Sequence, residues 1–457
     1  MKRILLSLLF VVAMAFGHRA SAQLATSYFM EGSYFRTELN PALVPTRGYI
    51  AMPAMSGVGL NLSNNFLSVD NLVYRKSGEL VTALHGSVTA DEFLGRLPDL
   101  PKLGVNANIN LLGVGFYVRK TFWTFGFNTR VQTDMAISKD LFRAVKTLGN
   151  GTYNLGDTAL SVNGFLEAYL GTSFRVAKIV NIGVRAKFLV GLLNAHTSVE
   201  SIEANVLPET VNGKVRTMIY GNSMFVDPSR VQYGEEFSDD VLNFDPQYML
   251  KHVKSYGGAI DVGAEVRLLN KRLRLSAAVT DLGFIRWSGA TNIAMDASGE
   301  FHYNGFNLET GEADADGSFE MKMARPESDG YTTRLNCSIN LGVEYGFLGN
   351  RIALGLLSRT QFCNTMKYTE LTASVNFRPL SWLSASVSHT FLNQNKPGIL
   401  GFALNIHPRA VNLFVGFDYM GFKWVRYQQA PIPHNMKSIS LYCGLGFNFG
   451  RPDHLKN

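Results

Sequence analysis

Apolar and polar residues alternate along most of the chain, and this pattern constrains the fold more than any other feature of the sequence. Within residues 256–268, for example, Ile260 and Val262 fall on one face while Asp261 and Glu265 fall on the other. A helix repeats its apolar positions every ~3.6 residues, whereas a strand sends successive side chains to opposite faces. The sequence therefore predicts an all-β fold.

Fourteen such runs can be counted, and the segments between them differ in length in a regular way. The runs are residues 48–62, 103–118, 121–136, 158–175, 179–206, 255–268, 272–295, 332–347, 350–363, 366–378, 382–393, 398–407, 410–422 and 437–450. Odd-numbered runs are followed by the longer segments 63–102, 137–157, 207–254, 296–331 and 423–436, and by two short ones near Asn364 and Gln394. Even-numbered runs are followed by tight turns near Lys120, Lys178, Asn270, Gly349, Leu380 and Pro408. Long loops on one rim and short turns on the other are typical of outer-membrane barrels. We therefore expect a transmembrane antiparallel β-barrel of about 14 strands, within a range of about 12 to 16, with both termini on the periplasmic side.

The composition favours strands that face lipid over the strands of a soluble protein. Charged residues make up 17% of the chain, against about 25% in ordinary soluble domains, while aromatic residues make up 12% and glycine numbers 43. A soluble sandwich or propeller would also alternate, but its outer face would carry many more charges. A membrane-spanning helix needs about 20 apolar residues, and no run after the N-terminus approaches that length. The composition thus agrees with a membrane barrel.

The N-terminus has the layout of a secretory signal peptide. Lys2 and Arg3 precede an apolar stretch at residues 4–16, and Ala20-Ser21-Ala22 then supplies small residues before the expected cleavage point. We expect residues 1–22 to be removed by cleavage near Ala22, and the mature protein to reside in the outer membrane of a Gram-negative cell.

The sequence offers no motif for catalysis, metal binding or nucleic-acid binding. The formal net charge of +7 includes three cations of the signal peptide, and the mature chain has no basic cluster. Cys337, Cys363 and Cys443 lie far apart, without the spacing of a zinc site or a disulfide framework. We therefore expect a protein that is not an enzyme and needs no cofactor. Strand-borne Ser–His or paired-acid sites, as in barrel phospholipases and proteases, stay open because sequence spacing does not reveal them.

Two motifs resemble those of known outer-membrane barrels. Residues 34–43 contain Asn40-Pro41-Ala42, the element found near the N-terminus of long-chain fatty acid transporter barrels. Together with Thr280-Asp281-Leu282-Gly283 and the residues that follow, this segment resembles an uncharacterised family of Gram-negative outer-membrane barrels, catalogued as a domain of unknown function. The resemblance covers most of the mature chain.

The resemblance implies a division of the chain into four parts. Residues 1–22 form the signal peptide, 23–47 a hatch that folds into the lumen as a plug, 48–450 the barrel and 451–457 a periplasmic tail. The alternative for 23–47 is a disordered periplasmic arm with a simple turn at Asn40-Pro41.

One phase of the strands carries polar residues of both charge signs, which we expect to line the lumen. The candidates for a lattice of paired lumen charges are Arg130, Glu167, Arg185, Asp261, Glu265, Arg267, Glu344, Arg359, Glu370 and Asp418, with neighbours such as Lys187 and Arg274. A channel selective for one ion sign would show rings of a single charge. The mixture predicts a filled or narrow lumen whose charges pair across neighbouring strands.

The alternation breaks at Leu111-Leu112, where two apolar residues are adjacent. This predicts a β-bulge in the second strand. In the fatty acid transporters a kink in an early strand makes a lateral opening to the bilayer, so we treat a lateral gate here as a hypothesis. A stabilising bulge through which nothing passes is the alternative.

The sequence leaves three functions open. The first is passive transport or binding of a small hydrophobic compound through the plugged lumen. The second is a barrel that transports nothing and acts as a shuttle or anchor in a protein-secretion or cell-surface assembly. The third is a purely structural surface protein. The expected partners are outer-membrane lipid, the barrel-assembly machinery during insertion, and either a hydrophobic small molecule or a secretion-system protein.

Overall fold

A computed structural model describes most of the mature chain. It covers residues 25–51, 57–66, 69–76, 79–83, 85–147, 157–207, 210–307, 312–364, 367–392, 399–419, 424–427, 430–433 and 438–450. The predicted signal peptide and the tail 451–457 lie outside the described residues.

Fourteen strands form a closed antiparallel barrel, as the sequence predicts. The strands are β1 (Gly48–Ala51 and Val58–Asn64), β2 (Lys102–Val118), β3 (Thr121–Ala136), β4 (Ala159–Ala177), β5 (Val180–Leu207), β6 (Tyr256–Leu268), β7 (Leu273–Trp287), β8 (Tyr331–Arg334 and Cys337–Phe347), β9 (Ile352–Phe362), β10 (Lys367–Leu380), β11 (Leu383–Leu392), β12 (Ile399–Ile406), β13 (Val411–Tyr419) and β14 (Ser438–Phe449). Each strand pairs with the next, and β14 closes the barrel against β1, where Gly48 faces Phe449.

The two phases of each strand differ in polarity as a membrane barrel requires. In β8, Leu341 and Val343 point outward and are 52% and 44% exposed, whereas Asn340 and Glu344 point inward and are buried. Apolar side chains on the outside cannot be stabilised by water, but they suit a lipid environment. The barrel thus resembles those of Gram-negative outer-membrane proteins.

Four long segments predicted as loops, 63–102, 207–254, 296–331 and 423–436, prove to contain strands, and one predicted strand proves to be two. Residues 272–295 do not form a single strand, because β7 ends at Trp287 and a short 3-10 turn at Gly289–Thr291 separates it from the strand Asn292–Asn307. That strand pairs with Thr210–Ser223 and with Glu312–Ala324. These three strands and the distal half of β5 extend the sheet beyond the barrel rim. The alternation of apolar and polar residues continues into this extension of the sheet, so it does not mark where the barrel ends.

The helices are short; the first precedes β1 and the others lie between strands. They are Arg36–Leu39, Val69–Leu72, Ala90–Arg96, Lys139–Thr147 and Pro246–His252. Among the described residues no helix is long and apolar enough to cross a membrane. At the long-loop rim the segment after β1, which includes the hairpin Val73–Lys76 with Glu79–Thr82, shares a small apolar core with the helix after β3.

Candidate functional site

The segment formed by residues 25–47, called here the N-terminal segment, is buried among inward-facing side chains of the barrel. Little of it is regular structure, so its backbone carbonyls need partners from elsewhere. Wall side chains supply them, with amide, guanidinium and hydroxyl donors reaching segment carbonyls at 2.6–3.1 Å. The donors are Asn181 to Ala42, Asn340 to Leu39, Arg378 to Phe29, Ser384 to Glu31 and Asn412 to Gly32.

Asn40 joins the N-terminal segment to two strands. Its Nδ2 lies 3.4 Å from the carbonyl oxygen of Ala264 on β6 and 3.3 Å from that of Ala277 on β7, and 3.2 Å from the Tyr28 hydroxyl. Its Oδ1 accepts a hydrogen bond from the backbone N–H of Ala42 at 2.9 Å, which closes the turn around the following proline. One amide therefore shapes the Asn-Pro-Ala turn and holds it to the wall.

Wall glycines allow the N-terminal segment to lie close to the strands. A Cβ at Gly342 would lie 2.6 Å from the Tyr28 ring, and a Cβ at Gly183 would overlap the backbone between Pro41 and Ala42. A side chain at either position would push the segment off the wall. The inward glycines of the alternating runs thus create space for residues 25–47.

An aromatic cluster surrounds Phe35. Its members are Tyr34, Phe35, Tyr49, Phe414 and Tyr442, and we call them the aromatic cluster. The Phe35 ring centroid lies 4.0 Å from that of Phe414 and 4.4 Å from those of Tyr34 and Tyr442. Stacked and edge-on rings at these distances add about 0.5–1.5 kcal/mol per pair to the gain from burial. The cluster is the largest apolar contact between the N-terminal segment and the wall near β1.

The pairing between the described residues of β1 and β2 is interrupted beside this cluster. β1 pairs with β2 from Tyr49 to Ala51, and among the described residues the ladder resumes only where Asn64 faces Leu103. Residues 58–63 pair with β14, and a backbone hydrogen bond joins the Asn110 N–H to the Gly57 carbonyl at 2.9 Å. A Cβ at Gly57 would overlap the Phe35 ring, so Phe35 packs directly against the interruption.

β2 carries an irregularity on the same side of the barrel. Its register with β3 shifts between Asn110 and Leu112, so Leu111 has no partner of its own and points outward. A bulge bends a strand and increases its twist. The irregularity lies next to the hydrogen bond between Asn110 and Gly57, where the pairing between β1 and β2 is weakest.

Five charged side chains meet inside the barrel wall and form what we call the central charge cluster. They are Arg130, Glu167, Lys187, Asp261 and Asp281. Arg130 donates to both carboxylate oxygens of Asp281, at 2.6 and 2.8 Å, and to Glu167 at 2.9 Å. The Lys187 ammonium lies 2.9 Å from Asp261 and 2.6 Å from Asp281. Buried charges that pair in this way offset part of the cost of removing each of them from water.

The remaining predicted lattice residues belong to separate groups. Glu344 pairs with Arg378, and Arg274 lies 3.5 Å from it. Glu265 pairs with its strand neighbour Arg267 at 2.7 Å.

The four other predicted lumen residues contact different partners. The Arg359 and Glu370 side chains approach to 4.0 Å across neighbouring strands. Asp418 accepts a hydrogen bond from Thr26 of the N-terminal segment. Arg185 lies over the Tyr169 ring at 4.6 Å and donates to the Thr37 hydroxyl at 3.0 Å.

Sequence reasoning missed Asp281, which contacts both cations of the central charge cluster. Asp281 follows the inward-facing Thr280 directly and has φ +60°, so two consecutive residues of β7 point inward. Asp281 appears in the Thr280-Asp281-Leu282-Gly283 motif but not among the predicted lumen residues, because strict alternation places it opposite Thr280. The two adjacent polar residues Thr280 and Asp281 were the available signal.

A polar cavity of about 40 Å³ lies between the central charge cluster and the wall interruption. Glu38, Arg130 and Asp281 line it from inside the barrel, and Asn61 and Asn108 line it from β1 and β2. A space of this size holds about one water molecule. The cavity therefore lies where the N-terminal segment meets the interrupted pairing of β1 and β2.

Several solved outer-membrane barrels are similar to this chain at low identity. The toluene transporter TodX of P. putida is 11% identical with a TM-score of 0.41, covering 92% of this chain and 95% of that chain. The Ralstonia pickettii toluene transporter TbuX is 7% identical with a TM-score of 0.43, covering 95% and 96%. A Pseudomonas aeruginosa FadL homologue is 10% identical with a TM-score of 0.41, covering 93% and 96%.

The sequence has no significant match among curated proteins. The profile of a family of unknown function, DUF5723, matches residues 41–418, which is most of the chain. The expected resemblance to an uncharacterised barrel family is thus confirmed, and the protein belongs to the DUF5723 family of unknown function.

Proposed function

We propose that this protein moves a small hydrophobic compound across the outer membrane, with the N-terminal segment serving as the hatch. The observation that carries the proposal is the interrupted ladder between β1 and β2, which lies beside the aromatic cluster. A closed barrel has no unpaired strand edges, so a break in its ladder leaves backbone N–H and C=O groups without strand partners. Such a break costs free energy, and we therefore assign it a function. After insertion by the barrel-assembly machinery, the break would face lipid.

The proposed route begins at the long loops and ends at the wall. The compound enters the upper lumen and displaces Phe35 from Gly57. It then leaves past the N-terminal segment through the interruption between β1 and β2. Burial of five aromatic side chains at this point gives an apolar surface against which such a compound can pass. The present arrangement is the closed one, because the nearby cavity holds about one water molecule.

A disulfide across the interruption tests this route. Asn61 of β1 and Asn106 of β2 line the same cavity, so the pair Asn61→Cys and Asn106→Cys would fasten the two strands. The three native cysteines are replaced by serine first. Toluene and a long-chain fatty acid serve as probes, and their accumulation by cells that carry the variant is measured with and without reductant.

We expect the oxidised pair to accumulate either probe several-fold more slowly than the same variant after reduction. The single variant Asn61→Cys is the matched control and should not respond to reductant. If mass spectrometry shows a complete disulfide and accumulation is unchanged, the wall is not the route.

A second function, partner binding in a secretion or cell-surface assembly, is favoured by a different observation. Phe244 and Leu250 lie in the segment between β5 and β6 and are 65% and 77% exposed. Exposed apolar side chains near each other at a long-loop rim are typical of contact surfaces. Gentle extraction from the native membrane, followed by mass spectrometry, would then recover a reproducible second protein. Its loss in the pair Phe244→Ser and Leu250→Ser would support this function over transport.

A further inference from the structure

The mouth of the barrel on the short-turn rim contains a cavity of about 660 Å³. The turns at Asn270 and Asn350 and the end of β10 form its outer edge, and the N-terminal segment forms its floor through Glu31 and Arg36. Small-molecule sites in proteins are commonly about 300–1,000 Å³. The cavity is therefore large enough for a ligand of that size.

Cations dominate the lining of this mouth cavity. Six arginines and one lysine line it, against the single carboxylate of Glu31. Two further carboxylates lie just behind the lining, Glu265 beside Arg267 and Glu344 beside Arg378. Among the described residues, seven cations and three carboxylates therefore lie at this cavity, which gives it an excess of positive charge.

Arg36 is the most deeply buried of these cations. Its side chain is 4% exposed, and its buried Nε has no hydrogen-bond partner. None of the ion pairs formed among the described residues includes it. The nearby carboxylates of Glu265 and Glu344 favour the charged guanidinium, but burial outweighs them and lowers the pKa of Arg36. An anion bound in the cavity would offset this cost of burial.

Two exposed arginines complete the arrangement at the outer edge. Arg272 follows the turn between β6 and β7, and Arg351 follows the turn between β8 and β9. Guanidinium groups present several N–H donors in a fixed plane that matches phosphate oxygens. A phosphate monoester carries about −1.5 to −2 charges, which suits an excess of several cations better than one carboxylate does.

We propose that the mouth cavity binds a phosphate group, held by Arg36 from the floor and by Arg272 and Arg351 from the edge. The phosphate comes either from a soluble phosphorylated compound or from the headgroup of an anionic phospholipid in the inner leaflet. This site does not depend on the proposed transport function. It does touch the N-terminal segment, because Arg274 pairs with Glu31 at the same place.

The test uses the full mature chain in neutral detergent, with inorganic pyrophosphate as the soluble probe in titration calorimetry. The variant is the pair Arg272→Gln and Arg351→Gln, whose side chains are exposed and leave the core intact. Lys178→Gln is the matched control, since Lys178 is an exposed cation on another turn of the same rim. A gel shift between heated and unheated samples verifies that each barrel is folded.

We expect pyrophosphate to bind the native chain and the Lys178→Gln control alike, and the double variant about tenfold more weakly. A parallel arm compares nanodiscs of phosphatidylglycerol with nanodiscs of phosphatidylcholine, and native mass spectrometry counts the retained lipids. Retention of phosphatidylglycerol without pyrophosphate binding assigns the phosphate to a headgroup, and the reverse assigns it to a soluble compound. Absence of both, or equal binding by the double variant and the native chain, overturns the proposal.

Discussion

Lys187 is the cation that neutralises Asp261, with its ammonium 2.9 Å from the Asp261 carboxylate. Among the described residues no other cation forms an ion pair with Asp261, which is fully buried. By contrast, Asp281 pairs with both Arg130 and Lys187. Among the described residues, Asp261 therefore has one cation partner and Asp281 has two, although the two residues lie on paired strands.

This difference predicts an order of stabilities. Lys187→Met leaves Asp261 buried without a partner, so the free energy of unfolding should fall by about 3–5 kcal/mol. Asp281→Asn leaves Arg130 paired with Glu167, and Lys187 paired with Asp261 and, at 3.8 Å, with Glu167. The amide also tolerates the positive φ, so the loss should be smaller, about 1–3 kcal/mol. Urea titration of barrels folded into lipid vesicles measures both. Asp329→Asn, at an exposed site, is the control. An equal loss in both variants would contradict the assigned pairing.

The contact between Phe35 and Gly57 predicts coupled effects. Phe35→Ala removes a buried ring and should lower the free energy of unfolding by about 3–5 kcal/mol. Gly57→Ala alone forces its methyl into that ring and should cost about 1–3 kcal/mol. In the double variant the methyl occupies part of the space that the ring vacates. The free energy of unfolding should therefore fall by less than the sum of the losses in the two single variants. Full additivity in the same vesicle titration would show that the side chains do not touch.

The barrel could be predicted from the sequence because lipid imposes a strict two-residue period on every strand. β6 and β8 follow this period without a break over most of their length, and their bounds agree with prediction to within a few residues. The alternation of long and short connections also requires an even strand count, which the barrel has.

What could not be predicted arises where the period fails or where distant residues meet. Asp281 was not predicted as a lumen residue because its positive φ places it beside Thr280 on the inner face. Glu31 and Glu38 belong to a segment without periodicity, so nothing local reveals that they meet Arg274 and Asn108. The strands beyond the rim were predicted as loops because their sequences are rich in polar residues. Their alternation of apolar and polar residues is no clearer than that of a polar loop.

The long-loop rim has its own packing, which can be disturbed without affecting the barrel. The Phe142 ring centroid lies 5.7 Å from that of Phe66 and 6.1 Å from that of Phe93, so one side chain joins the helix after β3 to the segment after β1. Phe142→Ala should speed tryptic cleavage at Arg96 several-fold, because local opening governs cleavage there. The heat-dependent gel shift of the barrel should be unchanged. Phe244→Ala, at an exposed ring, is the control, and equal cleavage rates in both variants would rule out this packing.

At position 40, the hydrogen-bonding chemistry of the replacing side chain should affect how firmly the N-terminal segment is held more than the size of that side chain does. Asn40→Ala loses the hydrogen bonds to Ala264 and Ala277, but these two residues still face each other in the ladder between β6 and β7. Asn40→Asp keeps the shape and the bond to Ala42, yet it turns a donor into a charged acceptor that faces both carbonyls. Repulsion there should release the N-terminal segment more than the loss of the side chain does. Tryptic cleavage after Arg36, followed by mass spectrometry, should therefore be fastest in Asn40→Asp, intermediate in Asn40→Ala and slowest in the native chain. The reverse order of the two variants would mean that the Asn40 amide is oriented differently from the arrangement described here.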